Sequence, residues 1–221
     1  MSTYTGAVTP GGPSDVRELD ALTIRKASVG PQDNNAYLLT CRSTGLQLLV
    51  DAAYDADRLM ALVREGTGEL DVVVTTHQHW DHHRALAATV EHTGARTAAG
   101  SLDAAALPVP PGQLLEDGDE VTFGAVTLGV VHLRGHTPGS VALVYRDPPG
   151  HPHVFTGDSL FPGGVGNTDG DVKRFTSLID DVQHRLFDVL PDDTWCYTGH
   201  GADTTLGVER PHLAEWRARG F

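Results

Sequence analysis

Four potential metal ligands crowd into six residues, His77-Gln78-His79-Trp80-Asp81-His82, which read HxHxDH. Three more stand alone further along: His136 in GHTPGS, Asp158 in TGDSLF and His200 in TGHG. Each group follows an apolar stretch that reads as a β-strand. Imidazoles and carboxylates delivered together at strand ends are the donor set of a divalent metal site. In an extended segment residues i and i+2 share a face, so His77 and His79 can approach one metal together. Asp81 and His82 come where the chain turns, and the turn can aim them at a second position. This differs from the helical HExxH arrangement. A mononuclear site needs only three protein ligands and water. Seven candidate ligands therefore point to two metals sharing a bridge, through a carboxylate.

The other histidines, His83, His92, His132, His151, His153, His184 and His212, read as surface or hydrogen-bonded core residues. Taken singly, Asp158 and His200 would be ordinary turn residues. Cys41 and Cys196 have no ligand spacing and read as buried thiols.

The elements that must position these residues can be read from periodicity. Leu22–Val29, Ala36–Cys41 and Leu46–Asp51 read as strands, and Asp55–Arg64 as a helix ended by Gly66. Asp71–Thr76 is a continuous apolar strand leading into the histidine run, and Arg84–His92 is a helix leaving it. Strands resume at Glu120–Phe123, Val126–Leu133, Ser140–Tyr145 and His153–Thr156. Phe175–Val189 carries a helical apolar stripe, Thr194–Thr198 is a last strand, and Pro211–Arg219 a terminal helix. Residues 1–15, rich in Gly, Pro, Ser and Thr, read as a flexible or surface-draped tail, and 16–221 as one α/β domain.

The 221 residues suffice for one sizeable core. Sixteen basic residues against 29 acidic ones give a net charge of −13, which argues against nucleic acid or an anionic membrane as partner. A small-molecule substrate is the expected partner. No secretory signal or membrane span is legible, so the expected location is cytoplasmic.

The order and spacing of HxHxDH, GHTPGS, GDSLF and GHG resemble the metallo-β-lactamase superfamily, from about Leu22 to Arg219. Within it, LLVDAA, LFPGGVGNTDGD and LPDDTWCYTGHGADTTLGVER are similar to the glyoxalase II-like (hydroxyacylglutathione hydrolase-like) metallohydrolases. The resemblance implies a four-layer αββα sandwich, two mixed β-sheets with helices on the outer faces. It implies that His77, His79 and His136 hold one metal, that Asp81, His82 and His200 hold a second, and that Asp158 bridges them. Asp51 matches an aspartate that supports the site from outside, although before a helix it could equally be a cap or turn residue.

The chemistry implied is attack on a thioester carbonyl by a hydroxide bridging two divalent ions, expected to be Zn2+, with iron or manganese as alternatives. Asp81 is the residue expected to orient that hydroxide or handle its proton. Glyoxalase II enzymes add a C-terminal helical domain that contacts glutathione, whereas here only residues 201–221 follow His200. Glutathione specificity is therefore not inferred, and the thiol carrier stays open. Arg134, Lys173 and Arg174 are candidate anion contacts, and Tyr54, Trp80, Phe161, Asn167 and Thr168 candidate mouth residues. Alternative readings are a persulfide dioxygenase with a single iron at the first position, a lactone hydrolase, and a non-catalytic metal-binding module.

Overall fold

The computed structural model describes residues 4–220. The first half of the chain forms β1 (Asp15–Glu18), β2 (Leu22–Ser28), β3 (Asn35–Cys41), β4 (Gln47–Val50), α1 (Ala56–Glu65), β5 (Val72–Thr75), α2 (Leu86–Thr93), β6 (Arg96–Gly100) and β7 (Gln113–Leu115). The second half forms β8 (Glu120–Phe123), β9 (Val126–His132), β10 (Val141–Arg146), β11 (Pro152–Gly157), the short pair β12 (Leu160–Phe161) and β13 (Gly164–Val165), and α3 (Val172–Val182). It closes with β14 (Trp195–Thr198), β15 (Thr204–Thr205), α4 (Leu206–Glu209) and α5 (Leu213–Arg219).

Strands β1 to β7 lie in sequence order in one sheet, antiparallel up to β4 and parallel from β4 onward. The second sheet has the order β15-β14-β11-β10-β9-β8, and its single parallel pairing is β11 with β14. Side chains alternate across each strand, so every central strand serves two cores. In the inner core, Tyr37, Leu39, Leu48, Val50, Val72 and Val74 of the first sheet meet Leu128, Val130, Leu143, Phe155 and Tyr197 of the second.

Ala36, Leu38, Leu49 and Val73 face the opposite way and pack under α1 and α2, against Leu59, Leu62, Val63 and Leu86. Ala142, Val144, Val154 and Cys196 of the second sheet pack under α3 and α5, against Leu178, Ile179, Val182 and Trp216. The architecture is therefore the αββα sandwich. Each fully buried Leu, Val or Phe contributes roughly 1.5–3 kcal/mol of hydrophobic stabilisation, and the inner core is the largest of the three clusters. Cys41 and Cys196 are both free and buried. Among the described residues no helix is long and apolar enough to cross a membrane.

Several boundaries differ from the sequence expectations. Residues 1–3 of the expected tail lie outside the described residues, as does Phe221 of the expected domain. Residues 4–14 are held at the surface: the Tyr4 hydroxyl donates to Asp203 (2.7 Å), and the Thr5 and Gly6 amides donate to Asp15 (2.8 and 2.9 Å). Asp15 already belongs to β1. The helix expected at Phe175–Val189 starts earlier, because Asp171 caps it by accepting from the Lys173 and Arg174 amides. It then widens into a π-turn over Gln183–Phe187, which leaves Val189 beyond its end and exposed. Pro211 lies in a 3-10 turn between α4 and α5, so the terminal helix begins later, at Leu213. Strands β6 and β7 carry Arg-Thr-Ala-Ala-Gly and Gln-Leu-Leu, too short and too small to show a period.

Candidate metal centre

The ligand-bearing segments leave the sandwich together. The chain departs β5 at Thr76, where the Thr76 carbonyl accepts from the Val141 amide of β10 (2.9 Å) and so ties the two sheets at this point. His77 follows, and Trp80–His82 form one 3-10 turn that swings Asp81 and His82 round. His136 sits in the connection between β9 and β10. β11 and β14 run parallel with Gly157 beside Thr198, so Asp158 and His200 emerge side by side. The register of that pair shifts between Phe155 and Gly157, and such irregularities re-aim side chains at strand ends.

The seven residues predicted from the motif converge. His77, His79 and His136 form one group whose donor atoms lie within 4.8 Å of one another, and Asp81, His82 and His200 form a second. His77, His82 and Asp158 form a third that joins them. His79 Nδ1 is 2.8 Å from His136 Nε2, and His82 Nε2 is 3.0 Å from His200 Nε2. Asp158 lies between: Oδ1 is 3.2 Å from His82 Nε2, while Oδ2 is 3.6 Å from His136 Nε2 and 3.4 Å from His200 Nε2. Asp81 Oδ2 is 3.3 Å from His200 Nε2.

Four of the five rings have their outward-facing nitrogens committed elsewhere, which fixes how they are turned. His136 Nδ1–H donates to the Asn167 carbonyl and His200 Nδ1–H to the Gln32 carbonyl, each at 2.8 Å. Asp51 Oδ2 lies 2.9 Å from His82 Nδ1 and also accepts from the Thr76 hydroxyl (2.8 Å). That hydroxyl has one proton, so toward His77 Nδ1, 3.0 Å away, it is the acceptor. Asp51 thus reaches one imidazole of each triad. It does not cap α1; Asp55 does, accepting from the Arg58 amide.

The inner atoms fit a cation. Among the described residues, the buried His77 Nε2 has no hydrogen-bond partner, and Asp158 Oδ1 faces only the His82 nitrogen 3.2 Å away. Orphaned buried acceptors are costly in a folded protein. Lone pairs converging on a common point, with second nitrogens already bonded, are what metal-ligating histidines present. Charge tells the same story for the metal-free protein. Burial opposes a charged ring, yet the Asp158 and Asp51 carboxylates push His82 up to about 10. Burial opposes it at His200 too, and Asp158 and Asp81 push that ring up to about 10. Asp81 is brought down to about 2 against burial by His200 and His82. Burial holds His77 well below the usual histidine range. The cluster of carboxylates demands positive charge.

Glycines make the close approach feasible. A Cβ on Gly199 would stand 2.0 Å from Asp158 Oδ1 and 2.8 Å from His82 Cε1. One on Gly166 would stand 1.8 Å from the Asp158 carbonyl oxygen.

Other residues depart from their sequence roles. Arg174 donates to the carbonyls of Gly135 (2.8 Å) and His136 (2.5 Å) and pairs with Asp169, so it braces the His136 loop. Arg134 pairs with Asp181 at 2.8 Å. Trp80 is exposed and packs edge-on to Tyr54, with the Arg84 guanidinium over both rings. The Phe161 ring lies 6.4 Å from that of His200, whereas Thr168 is fully buried. Asn34 had no signal in the sequence: its amide donates to the carbonyl and to Oδ2 of Asp81 (3.2 and 3.0 Å). His83, read as structural, hydrogen-bonds the Gln78 carbonyl at 3.0 Å.

Comparison with known proteins agrees with this architecture. Residues 29–206 match the family model of the metallo-beta-lactamase superfamily. The hydroxyacylglutathione hydrolase of Fuscovulum blasticum is 35% identical over 164 residues, covering 74% of this chain but 55% of that relative. The chain thus spans about half the length of that curated relative. Among solved structures, ETHE1 from Myxococcus xanthus is 30% identical with a TM-score of 0.75, covering 86% of this chain and 82% of that one. TTHA1623, solved in a di-iron-bound form, is 33% identical with a TM-score of 0.70, covering 84% and 96%. With the sandwich, the motif order and the family match in agreement, the chain belongs to the metallo-β-lactamase superfamily.

Proposed function

We propose that this chain is a dinuclear metal-dependent hydrolase that cleaves a thioester. The observation that carries the reading is Asp158, whose two oxygens face ligands of both triads at 3.2–3.6 Å. His77, His79 and His136 would hold one divalent ion, and Asp81, His82 and His200 the other. Bound there, such ions would activate water and polarise a carbonyl oxygen. Asp81, braced by Asn34, would be the side chain that orients the attacking water. A thiolate leaving group needs little protonation, so no separate acid is required.

Likeness to hydroxyacylglutathione hydrolases supports the thioester as substrate class. The match spans about half of that relative, so the thiol carrier is left open and glutathione is not assigned. Imidazole and carboxylate donors suit zinc, iron and manganese alike. Zinc is the first choice, and the di-iron form of TTHA1623 favours testing iron beside it. A cytoplasmic setting and a small-molecule substrate belong to the same proposal.

The alternative is a mononuclear iron persulfide dioxygenase using the first triad alone, a reading that the likeness to ETHE1 keeps in view. A complete second triad favours the hydrolase. Protein reconstituted with zinc or iron should release thiol from an acyl thioester. Oxygen uptake with a persulfide, and no thiol release, would favour the alternative instead.

A further inference from the structure

Asp103 lies outside both triads and is fully buried just beyond β6. Its Oδ2 accepts from the Gln78 amide (2.9 Å) and the Thr137 hydroxyl (2.5 Å), and its Oδ1 from the Gly139 amide (2.8 Å). Gln78 separates His77 from His79, and Thr137 directly follows His136. One carboxylate therefore holds the two loops that carry the first triad. A buried carboxylate is tolerated only when well hydrogen-bonded, and these three donors supply that.

The backbone is shaped around this contact. A Cβ on Gly139 would stand 2.5 Å from the Asp103 amide nitrogen and 2.9 Å from its carboxylate carbon. A Cβ on Gly100 would stand 2.0 Å from the Gly139 carbonyl oxygen. The turn after β6 and the GHTPGS loop meet with no room for a side chain between them.

We propose that Asp103 is a positioning residue that sets the spacing of His77 and His79 against His136. The inference rests on the reading of those three histidines as a metal triad. Asp103 touches neither Asp81, His82 nor His200 through its hydrogen bonds, so its effect belongs to the first triad. An amide in its place presents a donor to at least one of the three donors it now satisfies. The Val141 amide to Thr76 carbonyl bond ties the sheets without Asp103, so Asp103→Asn should retain the fold.

The test separates the triads by background. His200→Ala leaves the first triad intact, and His77→Ala leaves the second. Adding Asp103→Asn should weaken zinc binding about 10–100-fold in the first background and leave it unchanged in the second. In the metal-free protein, hydrogen exchange at the Gln78 and Gly139 amides should accelerate while β5 and β10 keep their protection. Equal weakening in both backgrounds, no weakening in either, or unchanged exchange at both amides would overturn the inference. Should Asp103→Asn fail to fold, Thr137→Val removes one donor only and should give a smaller loss confined to the first triad. If the His200→Ala protein binds no zinc at all, the triad reading fails, while amide exchange still reports on the Asp103 contact.

Discussion

Asp51 Oδ2 lies 2.9 Å from His82 Nδ1, and through the Thr76 hydroxyl the same oxygen is linked to His77. One carboxylate thus orients an imidazole in each triad. Asp51 holds this place with φ of 59°, in the left-handed region that Asp and Asn tolerate better than most residues. Asp51→Asn should therefore keep the backbone while turning an amide donor toward the Thr76 or His82 protons. Metal affinity should fall about 10–100-fold, with both triads affected. Equilibrium dialysis measures this, and unchanged affinity would show that the contact does not orient the ligands.

Gly199 is the second point of sensitivity. A methyl group there collides with Asp158 Oδ1 at 2.0 Å, and both partners are backbone-anchored at strand ends. Gly199→Ala should displace the Asp158 carboxylate and abolish most hydrolytic activity, with a smaller effect on thermal stability. Activity within about twofold of wild type would contradict the position assigned to Asp158, since residues held this closely rarely absorb a methyl group.

Acid sensitivity should have a source remote from the metals. Burial works against a charged Asp181, yet Arg134 and Arg185 hold its carboxyl below the ordinary value of 3.8. A depressed carboxylate pKa gives stability that is present above the unfolded value and lost as pH falls through the folded one. Asp181→Asn should lower the melting temperature near neutral pH. Its difference from wild type should shrink as pH falls below about 4, where the unfolded carboxyl takes up a proton, and be lost below the lower folded value. Melting curves of the metal-free proteins across this range would decide it, and a constant difference would contradict the ion-pair explanation.

The seven converging residues were legible because their chemistry is dense and they fall at strand ends. The αββα layers were legible through the family resemblance, while periodicity gave one α/β domain with a continuous apolar strand at Asp71–Thr76, whose Val72–Thr75 are buried. Of the supporting residues, Asp51 was legible through the family resemblance, and others were not. Asn34 and Asp103 come from segments distant in sequence from the ligand segments they brace, and Thr76, next to His77, acts through its hydroxyl on Asp51, which only the fold brings near. Two carbonyls, of Gln32 and Asn167, orient His200 and His136, and no side-chain identity encodes a carbonyl. Arg134 and Arg174 read as anion contacts by charge alone, but their nearest acceptors are Asp181 and the His136 loop. The π-turn after Val182 moved Val189 out of the apolar stripe, a change of pitch that periodicity cannot reveal.

With Asp158 placed between two triads, the proposed centre would hold two ions, and metal stoichiometry measures this directly. Metal-free protein titrated with zinc should bind two ions per chain, and His200→Ala should bind one while retaining the first triad. One ion in the wild type, or equal stoichiometry in wild type and His200→Ala, would contradict a dinuclear centre.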